Sequence, residues 1–188
     1  MNRCLSPLSV YTECMTNDDV EFVDVVDEKG NVLEVVPKPD AHKRGLLHKT
    51  VISAVVDSQG RWLLVKQAGD RQDAGQYVSP VGGHVVAGES EEDALKREAN
   101  EELGLTGDFK FEYVNRAIFN RHIIGRQENH FFIMFKIYSD AIPVLNHESV
   151  EYHYFTTDEL KTELKEHPER FGDAFHFVIR SFFPELTG

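Results

Sequence analysis

The sequence has few cysteines and no long apolar run. Its two cysteines, Cys4 and Cys14, both lie near the N-terminus, so the rest of the 188-residue chain has no thiol for a disulfide bond or a thiolate metal site. That usage suits a reducing compartment, and we expect a cytoplasmic protein. No apolar stretch approaches the roughly 20 residues that cross a bilayer, and the polar opening segment does not resemble a secretory signal. We therefore expect no membrane partner.

Basic residues are also scarce relative to acidic ones, 20 against 32, which gives a formal net charge of −12. A protein with this charge does not attract the phosphate backbone of DNA or RNA, so we expect no nucleic-acid partner. The same charge would repel a phosphorylated small molecule unless cations screen the site. Plain solubility is the alternative explanation of the charge.

The pattern of apolar residues predicts one domain over residues 20–188, preceded by a flexible arm at 1–19. The first part, 20–40, is predicted to be a hairpin followed by a linker that contains Pro37 and Pro39. Further strands are predicted around a bend at 58–60 and at 111–119 and 129–138, loops at 68–83 and 143–151, and helices at 90–103, 158–166 (with Thr157 as N-cap) and 168–182. Because strands and helices do not alternate regularly, we expect a mixed sheet flanked by helices.

The predicted helix at 90–103 is rich in glutamate. At about 100° per residue, Glu98, Glu101 and Glu102 fall within one arc beside the apolar stripe of the helix. Partly buried carboxylates are costly unless they are paired or bind a metal, and their oxygen atoms suit Mg²⁺ or Mn²⁺. Such ions in turn suit a diphosphate substrate. A solvated acidic face is the alternative explanation.

The residues around this helix match a longer pattern. From Gly83 the chain has glycine, five residues, Glu89, seven residues, and then the run REANEELGL from Arg97 to Leu105. Every defined position agrees with GX5EX7REUXEEXGU, in which U is an apolar residue. The sequence therefore resembles the Nudix hydrolases. The resemblance implies an α/β fold, an α/β/α sandwich with a mixed β-sheet, over roughly residues 20–185.

The resemblance also implies an activity, the Mg²⁺- or Mn²⁺-dependent hydrolysis of a diphosphate bond. The substrate would be a nucleoside diphosphate linked to another moiety or a similar small molecule. The implied metal ligands are the carboxylates of Glu98, Glu101 and Glu102, which would be catalytic, and the backbone carbonyl of Gly82. Arg97 would orient Glu98 and pair with Glu89, while Gly83 and Gly104 would serve as turn residues.

A general base and the substrate contacts are expected outside the motif. The family commonly places a further carboxylate after it, and the candidates there are Glu128, His130, Glu148 and Glu151. We rank Glu128 first, because "QENHFF" begins an apolar strand that would direct this side chain toward the metal ligands. A surface position is the alternative for each of them. The candidate substrate contacts are Arg71, Tyr77 and Phe119, although aromatic residues of this kind also occur in cores.

The histidines carry a second resemblance. "GLLH" ending at His48 and "GGH" ending at His84 resemble the branch of the family that contains type I isopentenyl-diphosphate isomerase, in which histidines surround a structural metal. The implied second metal site comprises His42, His48, His84 and His130, together with Glu128. Structural histidines bound only by hydrogen bonds are the alternative, and we favour it.

The same branch raises alternative functions. The isomerases carry a catalytic cysteine just before the histidine that matches His84, where this chain has Gly82 and Gly83. We therefore favour hydrolysis, and keep an isomerase and a non-hydrolysing nucleotide sensor as alternatives. Homodimers are frequent in the family, and the hairpin at 20–36 is a candidate surface for one by analogy.

Overall fold

The computed structural model describes residues 20–123 and 125–187, which form nine strands and four α-helices. In chain order they are β1 (Phe22–Val26), β2 (Val32–Pro37), α1 (Lys38–Arg44), β3 (His48–Val56), β4 (Trp62–Gln67), β5 (Tyr77–Val78), β6 (Val81–His84), α2 (Glu91–Leu103), β7 (Lys110–Ile123), β8 (Arg126–Tyr138), β9 (Ser149–Phe155), α3 (Thr157–Glu166) and α4 (Asp173–Phe182). The predicted arm at 1–19, with both cysteines, lies outside the described residues. No helix in the described part of the chain is long and apolar enough to span a bilayer.

Strand β3 is the centre of a mixed sheet. It runs parallel to β8, from the pair His48–His130 to the pair Val56–Tyr138. On its other edge it runs antiparallel to β6, where Thr50 lies opposite His84. Because β3 also pairs with β1 and β4, the sheet curls, and residues from distant parts of the chain meet around the first half of β3.

Helices cover both faces of this sheet. Leu95, Ala99 and Leu103 of α2 are buried in one apolar core with the strands. The second core, on the other face, contains Leu160 of α3 and Val178 of α4. Burial of one apolar stripe per helix is what the spacing of these residues predicts. The predicted α/β fold, an α/β/α sandwich with a mixed sheet, is confirmed.

The linker predicted around Pro37 and Pro39 is wrong, because the chain forms helix α1 there. Pro39 occupies the first turn, where a helix does not need the N–H that proline lacks. Gly45 ends the helix with φ 63°, a left-handed conformation that favours glycine. This helix carries His42, which is 6% exposed, into the interior.

Other boundaries differ from the predictions. The loop predicted at 143–151 runs into β9, and the loop predicted at 68–83 contains β5 and β6. The last predicted helix is interrupted, since a 3₁₀ turn at 168–170 precedes α4. Thr156, and not Thr157, caps α3, with Glu159 completing a capping box.

Candidate functional site

A cavity of about 700 Å³ brings the candidate residues together. Its walls come from helices α1, α2 and α4, from strands β3, β6, β7 and β8, and from the loops that follow β4 and β8. Twelve residues predicted for the site line it, namely Arg71, Gly82, Gly83, His84, Arg97, Glu98, Glu101, Glu102, Phe119, His42, Glu128 and His130. The cavity is large enough for a small phosphorylated molecule.

Helix α2 supplies three of the carboxylates that line the cavity. The helix begins at its N-cap Ser90, whose Oγ accepts a hydrogen bond from the backbone N–H of Asp93 at 3.1 Å. It ends at Gly104, which has φ 65°. Since the apolar stripe of α2 faces the core, the neighbouring arc directs Glu98, Glu101 and Glu102 toward the cavity.

Arg97 connects the start of the motif to Glu98. Its Nε and Nη2 donate to the two carboxylate oxygens of Glu89, each at 2.9 Å, and its Nη1 donates to Oε1 of Glu98 at 2.6 Å. Nη2 also donates to the backbone carbonyl of His84 at 2.9 Å. These charge-assisted hydrogen bonds raise the pKa of Arg97 above its usual value. The guanidinium therefore fixes Glu98 and strand β6 relative to each other.

Two glycines of β6 let α2 approach the strand closely. A Cβ on Gly83 would lie 2.0 Å from the carboxyl carbon of Glu98, so a side chain at residue 83 would displace that carboxylate. The backbone N–H of Gly82 donates to Oε2 of Glu102 at 2.7 Å. Gly83 lies within a strand and not in a turn, so its predicted role as a turn residue is wrong, because what matters there is room for Glu98.

The cations near the carboxylates of α2 do not neutralise all of their negative charge. Burial raises the pKa of Glu102 well above its usual value, and the neighbouring charges of Glu98 and Glu148 add to this effect. Burial also raises the pKa of Glu98, although its hydrogen bond with Arg97 opposes the shift. A divalent cation would offset this accumulated negative charge, and oxygen ligands are those that Mg²⁺ and Mn²⁺ prefer. The residues present thus fit such an ion.

Four imidazoles form a cluster beside the carboxylates. His48 begins β3 and lies opposite His130 of β8, His84 ends β6, and His42 reaches in from α1. One potential ligand atom of each histidine lies within 4.8 Å of those of the other three, and ring centroids of His42 and His48 are 4.9 Å apart. The sheet pairing of β3 with two other strands therefore assembles the cluster.

The chemistry of this cluster favours a cation. Nδ1–H of His48 donates to the carbonyl oxygen of Leu46 at 2.8 Å, which leaves the lone pair of the ring on Nε2. Nε2 of His48 and Nε2 of His84 are buried, and neither has a hydrogen-bond partner among the described residues. Burial lowers the pKa of His48 to about 4 and holds the pKa of His84 well below its usual value. Both rings are therefore neutral at neutral pH, the form that binds metal ions.

Glu128 lies on the imidazole side of the cavity and is 3% exposed. Its Oε2 accepts a hydrogen bond from Nε of Arg121 at 2.6 Å. Nη1 of Arg121 donates to Asp73 at 2.9 Å, and Nη2 donates to Oε1 of Gln72 at 2.7 Å. Arg121 and Asp73 were not predicted from the sequence. They are 48 residues apart, and no local pattern indicates their contact.

The remaining candidates separate into two groups. Glu148 lines the cavity near Glu102, on the loop between β8 and β9. Tyr77 is 5% exposed, is absent from the described lining of the cavity, and donates its hydroxyl to Oε1 of Glu151 at 2.6 Å. This placement does not favour Tyr77 as a substrate contact or Glu151 as the base.

The chain is similar to several known proteins. The model of the NUDIX domain family matches residues 46–175. The chain is 30% identical over 152 residues to isopentenyl-diphosphate Delta-isomerase 2 of Aromatoleum aromaticum, across 79% of each protein. It is 38% identical over 104 residues to an uncharacterised Nudix hydrolase of Streptomyces coelicolor, across 50% of this chain and 55% of the other. Among solved structures, DR0079 of Deinococcus radiodurans has a similar fold, with a TM-score of 0.67, 22% identity, and coverage of 85% of this chain and 98% of that one.

Proposed function

The chain belongs to the Nudix family, and on that premise we propose that it is a divalent-metal-dependent hydrolase of a phosphoanhydride bond in a small-molecule diphosphate. The observation that carries this proposal is the set of three carboxylates, Glu98, Glu101 and Glu102, at one wall of the cavity. Arg97 is the one cation paired with them in the described residues, and the remaining negative charge has no structural use in a helix that is already capped and packed. It suits an enzyme that binds Mg²⁺ or Mn²⁺ together with a phosphorylated substrate.

Glu98, Glu101 and Glu102 would hold the ion, with the carbonyl oxygen of Gly82. A bound ion would neutralise phosphoryl oxygens and make water a better nucleophile. Arg97 would keep Glu98 in place through the contacts described above. Each of these roles is local to α2 and β6, so the protein supplies the ligands from two rigid elements.

Substrate binding requires cations in the cavity, because acidic side chains outnumber basic ones in its lining. Arg71 and Lys38 line it and are the candidates for contacts with the phosphates. The group attached to the diphosphate would lie against Phe119, which stacks on Phe132 with ring centroids 5.2 Å apart. The cavity therefore combines a charged end with an apolar wall.

We place the general base at Glu148, in contrast to the sequence-based preference for Glu128. The carboxylate of Glu128 is held by Arg121 beside the imidazoles, whereas Glu148 lies near Glu102. In the proposed step, the oxygen of a water molecule bonds to phosphorus and its proton passes to Glu148. The bridging P–O bond breaks, and the leaving phosphate retains the electron pair of that bond.

The direct test is phosphate release from a panel of nucleoside and isoprenoid diphosphates with and without Mg²⁺. We expect Glu101→Gln to lower kcat about 10³-fold with an unchanged fold, because a metal contact is worth several kcal/mol in the transition state. Glu92→Gln is the matched control, since Glu92 lies on the same helix, is exposed and does not line the cavity. No turnover across the panel, or equal rates for Glu101→Gln and the control, would refute the proposal.

An isomerase is the second candidate, favoured by the 30% identity to a protein named isopentenyl-diphosphate Delta-isomerase. Gly82 and Gly83 precede His84, so the cavity lacks the cysteine that the resemblance associates with proton transfer. Isopentenyl diphosphate in D₂O, included in the same panel, distinguishes the two reactions. Deuterium in the recovered diphosphate without phosphate release would identify the isomerase.

For the imidazole cluster, we propose a second divalent ion, held by His42, His48, His84 and His130. Four imidazole nitrogen ligands suit a transition-metal ion such as Zn²⁺ better than Mg²⁺. The orientation of His48 by a backbone carbonyl is the kind of contact that supports a metal-binding imidazole. Because the imidazole cluster lies beside the carboxylates and not among them, we assign this second ion a structural role.

A further inference from the structure

Arg71 and Glu148 join two loops at the edge of the cavity. Nη2 of Arg71 lies 2.9 Å from Oε1 of Glu148, and the same nitrogen donates to Nε2 of His147 at 2.9 Å. The side chains of Arg71 and Glu148 are 31% and 36% exposed. Both residues line the cavity, so this ion pair faces the space that a substrate would occupy.

The backbones on the two sides of this ion pair are fixed. The N–H of Ala68 donates to the carbonyl oxygen of Glu148 at 2.8 Å, and the N–H of Arg71 donates to that of Ala68 at 3.1 Å. The N–H of Glu148 donates to Oδ1 of Asn146 at 2.9 Å. A change of partner by Arg71 through side-chain rotation therefore breaks none of these hydrogen bonds.

Two other cations of the cavity, Arg97 and Arg121, are engaged more firmly. Arg97 is held by Glu89, Glu98 and a backbone carbonyl, and Arg121 by two buried carboxylates and an amide. Arg71 has three partners, the partly exposed carboxylate of Glu148, the exposed carboxylate of Asp70 at 4.0 Å, and a histidine, and its buried Nε has no hydrogen-bond partner among the described residues. Since partly exposed ion pairs contribute little, Arg71 can exchange its partner at low cost.

We propose that Arg71 is a latch on Glu148. In the free protein the guanidinium of Arg71 binds the carboxylate of Glu148. When a diphosphate enters the cavity, the guanidinium binds the diphosphate in place of Glu148, because phosphate oxygens accept charge-assisted hydrogen bonds from arginine. Glu148 is then released beside Glu102, where it accepts the proton of the attacking water. The latch rests on the proposed function and adds that substrate binding itself unmasks the base.

The latch makes a prediction about binding that does not depend on turnover. Methylenediphosphonate, a diphosphate analogue that cannot be hydrolysed, is titrated by calorimetry in Mg²⁺ into the wild type, Glu148→Gln, Arg71→Gln and the double variant. We expect Glu148→Gln to bind the analogue about 2–5-fold more tightly, since no ion pair must be broken. Arg71→Gln weakens binding about tenfold through loss of a charged hydrogen bond. In the Arg71→Gln background, Glu148→Gln has no further effect.

Three results would overturn the latch. Weaker or unchanged binding in Glu148→Gln would make Glu148 a metal ligand or a structural partner. Equally tighter binding with and without Arg71 would show long-range repulsion between Glu148 and the anion. Absence of binding in every variant would refute the latch together with the proposed function, whereas binding without coupling refutes the latch alone.

Measurements of kcat and KM provide a second test of the latch. Glu148→Gln should lower kcat about 10²–10⁴-fold, the usual contribution of a general base, while its affinity for the analogue rises. Arg71→Gln should mainly raise KM, and Arg71→Lys should restore part of the binding. The matched control is Glu163→Gln, which removes the surface ion pair with Arg170 away from the cavity and should change neither quantity. An unchanged kcat in Glu148→Gln contradicts the proposal.

Discussion

At residue 83, the absence of a side chain determines where the carboxylate of Glu98 can lie. The carboxyl group occupies the volume that a Cβ would fill, and Arg97 holds it there at 2.6 Å. The motif pattern identified Gly83, Arg97 and Glu98 from the sequence. It did not reveal that the glycine makes room for the glutamate, because that contact depends on how α2 packs against β6.

We therefore expect Gly83→Ala to reduce kcat about 10²-fold, because a displacement of about 1 Å at a reacting group has effects of this size. The stability loss should be about 1.5–3 kcal/mol, the contribution of one charge-assisted hydrogen bond, because Glu98 is flexible enough to move aside. Gly69→Ala is the control, since a Cβ there meets nothing within 4 Å. Initial rates and urea unfolding measure both effects. Wild-type kcat in Gly83→Ala would contradict this account.

Among the secondary-structure elements, α2 was predicted best because its signals are local. Ser90 and Gly104 mark its ends, and its apolar residues recur at helical spacing. Helix α1 and strand β9 were missed for the opposite reason. The prolines at the start of α1 are as typical of a linker as of a first helical turn. Strand β9 is largely exposed, so its sequence has little of the apolar alternation that indicates a strand.

Capping of α2 can be tested apart from its chemistry. Ser90→Ala should lower the free energy of unfolding by about 1 kcal/mol, since the N–H of Asp93 loses its hydrogen-bond partner. The variant should keep its kcat, because Ser90 lies at the end of α2 remote from Glu101 and Glu102. Thr156→Ala, at the cap of α3, should have a similar cost and serves as comparison. A large loss of kcat in Ser90→Ala would show that the N-cap of α2 contributes to catalysis, contrary to this prediction.

At the scale of the whole molecule, the sheet brings together residues that no local pattern connects. The imidazole cluster joins α1, β3, β6 and β8, and the contacts of Arg121 and Arg71 span 48 and 77 residues. The sequence indicated the histidines only through a resemblance, and it favoured structural histidines over a metal site. It could not identify the Arg71–Glu148 contact, which depends on the placement of two loops. The homodimer stays a prediction, and on the hairpin Leu33 and Val35 of β2 are 66% and 54% exposed.

An ion in the imidazole cluster would tie four elements together, so its removal should affect global stability. At a 100-fold excess over Kd, Zn²⁺ should stabilise the apo protein by about 2.7 kcal/mol, or roughly 5–10 °C in Tm. His84→Ala should abolish this shift, whereas His167→Gln, which changes an exposed histidine outside the cluster, should retain it. Differential scanning calorimetry after chelation measures the effect. An equal shift in His84→Ala would place the ion elsewhere.

The direct pairing of His48 with His130 in the parallel strands β3 and β8 has a consequence for folding. A slip of one residue between these strands would turn one imidazole to the opposite face of the sheet, and the four rings would no longer meet. Parallel pairing between segments so far apart in sequence is also slow to form. A refolding chain would therefore bind the metal only after β3 and β8 have paired in the correct register.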